Sequence, residues 1–183
     1  MGNSNHIIRA LKPEETIRTQ DIIFRSVTTA DIPELKELFC NTVLTVNARD
    51  YTTEEVADWA SCGNRPGHWE KLLATLHFIA ACNGQGRIIG FTSIRNDGYL
   101  HSMFIHKDYQ RQGIASALLQ RIEAYAAEHG ICEITSEVSI TARPFFEKQG
   151  YIVELEQRAQ ANRLQLINYK MRKQMKDGNT ETE

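Results

Sequence analysis

Apolar positions recur along this 183-residue chain with two different periods, and the switches between them outline its elements. From Asp21 to Val27 the run Ile22-Ile23-Phe24 predicts a strand. Thr28-Thr29-Ala30-Asp31 then has the spacing of a capping box, with Pro33 in the first turn. Ile32, Leu35, Leu38, Phe39, Thr42 and Val43 follow at helical spacing. Thr52 and Glu55 repeat the capping pattern ahead of Val56, Trp59 and Ala60, which predicts a second helix. His77 to Cys82 and Arg87 to Ile94 are β-rich runs joined by the turn Asn83-Gly84-Gln85-Gly86, and Asn96-Asp97-Gly98 leads into a third strand, Tyr99 to Ile105. Tight turns between these three imply antiparallel pairing. A long helix is predicted from about Gly113 to His129, with Ile114, Leu118, Leu119, Ile122, Tyr125 and Ala126 on its apolar face and Gly130 as its C-terminal cap.

The rest of the pattern is a strand over Ile131 to Val138, a short helix over Thr141 to Gln149, and a hairpin of Tyr151 to Gln157 with Leu164 to Arg172. The order β-α-α-β-β-β-α-β-α-β-β describes a mixed α/β (α+β) domain with helices on both faces of one sheet. Residues 1–20 read as an N-terminal extension, 21–175 as the domain and 176–183 as a polar tail.

Composition narrows the function classes. Charged residues make up 24% of the chain, signs are interspersed and the net charge is -2, so no clustered basic surface points to nucleic acid. No window approaches the roughly 18 apolar residues of a membrane span, and the start of the chain lacks a signal peptide's apolar core. Cys40, Cys62, Cys82 and Cys132 are scattered, with no CxxC pair and no histidine at ligand spacing. They read as reduced thiols of a cytoplasmic protein, without a metal site.

The segment with chemical content is Tyr99 to Leu119, where a strand runs through Gln110-Arg111-Gln112-Gly113-Ile114-Ala115 into the long helix. N–H groups at a helix start lack internal partners and carry the positive end of the dipole, so a diphosphate could rest there beside Arg111. Gly113 would let the backbone come close to it, and Ala115 keeps the first turn thin. A plain connection has the same composition, and neither GxxxxGK[ST] nor GxGxxG is present.

Gln110-x-x-Gly113-x-Ala115 after Met103-Phe104-Ile105 resembles the Q/R-x-x-G-x-G/A signature of the GCN5-related N-acetyltransferase (GNAT) superfamily. Ser136 to Tyr151 is similar to that family's strand-helix-Gly-aromatic segment, and Asn47 to Ala60 resembles a bacterial, YafP-like subgroup. The resemblance spans about Asp21 to Arg172. It implies a mostly antiparallel sheet of six or seven strands with a V-shaped splay between two central strands, and transfer of an acetyl group from acetyl-CoA to a small-molecule or peptide amine. The pantetheine arm would lie along Met103, Phe104 and Ile105, with the Met103 or Phe104 N–H facing the thioester oxygen. The diphosphate would sit on Arg111, Gln112, Gly113, Ile114, Ala115 and Ser116. Ser139 stands where many relatives have an Asn that bonds the pantetheine. Phe146 occupies the position of a Tyr that protonates the leaving thiolate, and a phenyl ring cannot do so.

For a base, strand parity places His101, Met103 and Ile105 on one face. His101 matches a strand histidine of arylalkylamine acetyltransferases, Glu137 on the adjacent strand is the second candidate, and His106 reads as a structural loop residue. Trp59, Trp69 and Tyr51 fall where the family builds its acceptor pocket, with core packing as the alternative for each. Two other readings stay open: a non-catalytic acyl-CoA-binding module, which Phe146 would favour, and an unrelated nucleotide-phosphate site. The last hairpin could supply the edge of a homodimer.

Overall fold

The computed structural model describes residues 22–175, and the expected extension and tail, with Asp21, lie outside them. Alternation along the central strands decides the layering. On β2 (His77–Cys82), Phe78, Ala80 and Cys82 pack with α1 (Ile32–Thr45), α2 (Thr53–Ser61) and α3 (His68–Thr75). Ile79 and Ala81 turn to the opposite face and meet the cluster built on α4 (Ile114–Glu128). Helices therefore cover both faces of the sheet, as the sequence predicts. Gly90 on β3 (Ile88–Ile94) sets how closely α4 approaches. A Cβ there would stand 2.9 Å from Ile105 Cδ1, 3.2 Å from Ile114 and 3.3 Å from Leu118.

Local signals start the helices. The Asp31 carboxylate accepts the Thr28 N–H at 2.8 Å and is gripped by Arg25 at 2.7 and 2.9 Å, so a short 3-10 turn leads into α1. At α2, Glu55 accepts the Thr52 N–H at 2.8 Å while Thr52 Oγ1 accepts the Glu55 N–H at 3.3 Å, the reciprocal capping box. The sequence reading lacks α3. Gly67, the residue before the helix, carries no capping side chain. The apolar spacing Trp69, Leu72, Leu73, Leu76 was the available signal.

Among the described residues the sheet has seven strands in the order β1-β2-β3-β4-β5-β7-β6, where β1 is Ile23–Ser26, β4 Tyr99–Ile105, β5 Glu133–Ser139, β6 Ile152–Gln160 and β7 Gln165–Gln174. Every pair is antiparallel except β4–β5. That parallel pair matches only Tyr99 with Thr135 and Leu100 with Ser136, after which the strands separate, so the expected splay is present. A short helix, α5 (Arg143–Lys148), follows β5. No helix among the described residues is long and apolar enough to cross a membrane.

Candidate active site

The gap between β4 and β5 opens into a cleft of about 1100 Å³. One wall carries Phe39, Trp59, His68 and Trp69, the floor is β4 and β5, and the far side holds Ala159–Ala161 and Leu166–Asn168 of the last hairpin.

The floor departs from strand parity. Ser93 faces Ser102, but Ile94 faces Leu100, so His101 is an extra residue in β4 with no opposite number, a β-bulge. Leu100, Met103 and Ile105 pack on the α4 side, whereas Phe104 packs with α1–α3. His101 leaves the Met103–Ile105 face assigned to it and joins Ser102. Its Nδ1 lies 2.7 Å from Ser102 Oγ, and its ring is edge-on to Tyr99 at 6.1 Å. The ring is reached by solvent yet surrounded by protein on most sides. That burial lowers its pKa below the ordinary histidine value, assisted by the positive fields of His68 on α3 and of Arg95. His101 is therefore neutral near pH 7. Glu137 lines the same cleft, and its carboxylate lies 3.5 Å from Asn168 Nδ2. Tyr99, also on the lining, has its pKa pushed up to about 12, by burial first and by Glu137 second.

Backbone groups along the gap follow from the ladder. The His106 N–H bonds Ile89 O at 2.9 Å, and in an antiparallel pair every second residue is bonded across. Phe104 therefore spends its N–H and C=O on Phe91, while Met103 and Ile105 turn theirs towards β5. Of the Met103 and Phe104 N–H groups, only that of Met103 faces the gap. Ile105 O accepts Gln110 Nε2 at 2.6 Å and Thr42 Oγ1 at 3.0 Å, so Gln110 ties the loop to the strand end.

In that loop Arg111 has φ 62 and Gly113 φ 80, the left-handed conformation that glycine adopts freely and arginine rarely. The helix start has no side-chain cap, and Arg111, Gly113, Ile114, Ala115 and Ser116 all line the cleft. A Cβ on Gly113 would meet no protein atom within 4 Å, so the turn's φ demands glycine and the space beside it belongs to the cleft. These orphan amides beside Arg111 suit a diphosphate. Gln112 is the exception: its Nε2 lies 3.4 Å from Asp108 O, and the residue is not part of the lining.

The remaining candidates divide by packing. Ser139 lines the cleft, its Oγ accepting the Ala142 N–H at 3.1 Å. Phe146 is 3% exposed, edge-on to Tyr151 at 5.1 Å, and reaches the lining from the core. Tyr51 is a strut, donating to Ile167 O at 2.7 Å and accepting from Ile140 N at 2.9 Å. Trp69 is buried with its Nε1 on Gly63 O at 3.0 Å, while half-buried Trp59 stands edge-on to Tyr51 and Phe104. His106 is buried in the loop, its Nδ1 accepting the Asp108 N–H at 3.2 Å. Sequence reasoning missed His68 together with its helix, and Asp58, whose carboxylate anchors the tip of the last hairpin.

The sequence pattern of the acetyltransferase (GNAT) domain matches residues 47–173. The chain is 30% identical over 153 residues to YafP of Escherichia coli K12, described as an uncharacterized N-acetyltransferase, covering 83% of this chain and 95% of that protein. Among solved structures, a GCN5-related N-acetyltransferase from Rhodopseudomonas palustris superposes with a TM-score of 0.80 at 24% identity, over 83% of this chain and 94% of that one. The PaiA N-acetyltransferase of Thermoplasma acidophilum, solved with coenzyme A, gives 0.69 at 20% identity, over 84% and 98%. With a family match over most of its length, the strand splay and the open helix start, this chain belongs to the GNAT family and is an acetyl-CoA-dependent N-acetyltransferase.

Proposed function

We propose that the chain transfers the acetyl group of acetyl-CoA to a primary amine by direct attack, with both substrates in the cleft together and His101 as the base. The observation that carries this is the separation of β4 from β5 opposite the uncapped start of α4, with His101 turned by its bulge onto the acceptor side. The pantetheine lies along Met103–Ile105 with Ser139 across the gap, and the diphosphate rests on Arg111 and the amides of Gly113 to Ser116. The Gln112 side chain takes no part in this.

The amine nitrogen attacks the thioester carbon, the new C–N bond forms, and the C–S bond breaks to release the thiolate. His101 takes the amine proton, directly or through water, and Glu137 is the second candidate for that role. An amine with a pKa near 10.4 gives up a proton at pH 7 at a cost of about 4–5 kcal/mol, so a neutral imidazole beside it matters. The Met103 N–H, turned to the gap, stabilises the charge that builds on the thioester oxygen. Phe146 donates no proton, and a thiolate with a pKa of about 8.5 leaves without one. We propose the homodimer along the free edge of β6, where Ile152 and Leu155 are exposed, a point sedimentation velocity decides. Thiol release from acetyl-CoA over a panel of amines tests the transfer itself. Acetyl-CoA binding with no release for any amine would overturn it.

A further inference from the structure

Resting on that reading, we infer that the acceptor is a small monoamine with an apolar body, held in a pocket that the hairpin tip walls off, rather than a polyamine or a lysine of a larger polypeptide. The wall is a built feature. Asp58 on α2 is 3% exposed, and its carboxylate accepts three successive backbone N–H groups of the hairpin tip: Asn162 at 3.0 Å, Arg163 at 2.8 Å and Leu164 at 2.9 Å. Arg163 Nε adds a fourth contact at 3.2 Å. Beside it, Arg65 donates to Ala161 O and to Asn162 Oδ1, each at 3.0 Å, and Asn162 Nδ2 donates to Ser61 Oγ at 3.1 Å. Ala161, Leu164 and Leu166 then pack into the core under α1–α3. The tip is thus stitched to α2 and its following turn, with acceptor-side lining on both partners of the seam.

Volume and charge then select the acceptor. Ligand pockets of about 300–1,000 Å³ hold one drug-sized molecule, and this cleft of about 1100 Å³ must accommodate the pantetheine arm as well. What is left suits a small molecule. Among the described residues Glu137 is the one carboxylate on the lining; Arg111 is taken by the diphosphate and Arg49 is paired with Asp50 at 2.9 Å, while Lys148 and the ring of His68 add no negative charge. One ammonium finds a counter-charge and a second does not. Trp59, Phe104 and Leu166 offer an apolar surface to the amine's body, with aromatic faces for its charge.

Binding can be read without turnover, using conjugates in which an amine is joined to the coenzyme A sulfur through an acetyl bridge. By calorimetry, the 2-phenylethylamine conjugate should bind about tenfold or more tighter than coenzyme A, while spermidine and lysine-peptide conjugates gain at most about threefold. Asp58→Asn should remove most of the phenylethyl gain and leave coenzyme A affinity unchanged, in protein that still unfolds cooperatively. Arg65→Ala, nearer the surface, should give a smaller loss in the same direction, and it carries the test if Asp58→Asn does not fold. Equal gains for the peptide or spermidine conjugates, or a phenylethyl gain untouched in the folded variants, would overturn the inference. Tight phenylethyl binding with no thiol release from free 2-phenylethylamine would support the pocket while overturning the transfer reading.

Discussion

His101 shows how much one inserted residue changes. The bulge moves its imidazole from the α4 face to the cleft, against Ser102 and under the field of His68. His101→Ala should lower turnover by about 10²–10⁴-fold while acetyl-CoA affinity holds. The base acts when neutral and its pKa is depressed, so the parent's rate should be lost as pH falls through a value below about 6.5 and be level by pH 7. The variant should lack that limb, and a normal rate with an unchanged profile would pass the role to Glu137 or to no protein base. At Phe146 the ring packs among Phe145, Tyr151 and Val138. Phe146→Ala should therefore cost about 3–5 kcal/mol of stability, measured by denaturant unfolding. Phe146→Tyr should leave the rate unchanged or modestly raised, and abolished activity in a folded Tyr variant would contradict a packing role.

At the scale of elements, the loop into α4 separates backbone from side-chain effects. Arg111→Ala should weaken coenzyme A binding by about 1–3 kcal/mol, the range for a hydrogen bond to a charged group. Gln112→Ala should not change it, because that side chain is turned to Asp108. Gly113→Val should abolish binding. A β-branched residue at φ 80 costs about 1–2 kcal/mol, equivalent to a fall of about 2–8 °C in the unfolding midpoint, but its Cβ meets no protein atom within 4 Å. Calorimetry with unchanged affinity in both Arg111→Ala and Gly113→Val would remove the diphosphate from this helix start. The loop was legible because its motif is local. α3 was not, since an eight-residue helix behind Pro66-Gly67 owes its stability to Trp69 packing against Phe39 and Phe91.

Across the whole molecule, acidification should act in two stages. His68, His77, His101 and His106 all have pKa values lowered chiefly by burial. The unfolded chain therefore takes up protons on these groups first, and stability falls as pH drops through about 6.5 and below. Asp31, held to about 2 by Arg25, and Asp58, held to about 2 first by the Leu164 N–H, add stability that is present above about 3.8 and lost on further acidification. Thermal unfolding should show a midpoint level above about pH 7, declining below about 6.5 and again below about 4. A midpoint constant from pH 8 to about 5 would contradict the histidine assignment.

Sequence alone determined the element order apart from α3, the mixed sheet, the GNAT signature at Gln110–Ala115 and the open helix start, because each depends on neighbours a few residues apart. The central splay came with the family resemblance, and the β4–β5 register bears it out. Only the tertiary structure decided which way His101 points, which N–H faces the gap, and that Gln112 turns aside while Tyr51 becomes a strut. It also decided that Asp58 anchors the tip of the last hairpin by holding amides more than a hundred residues away. A bulge is set by register with a second strand, and a carboxylate on an amphipathic helix reads the same whether solvent or a distant turn receives it.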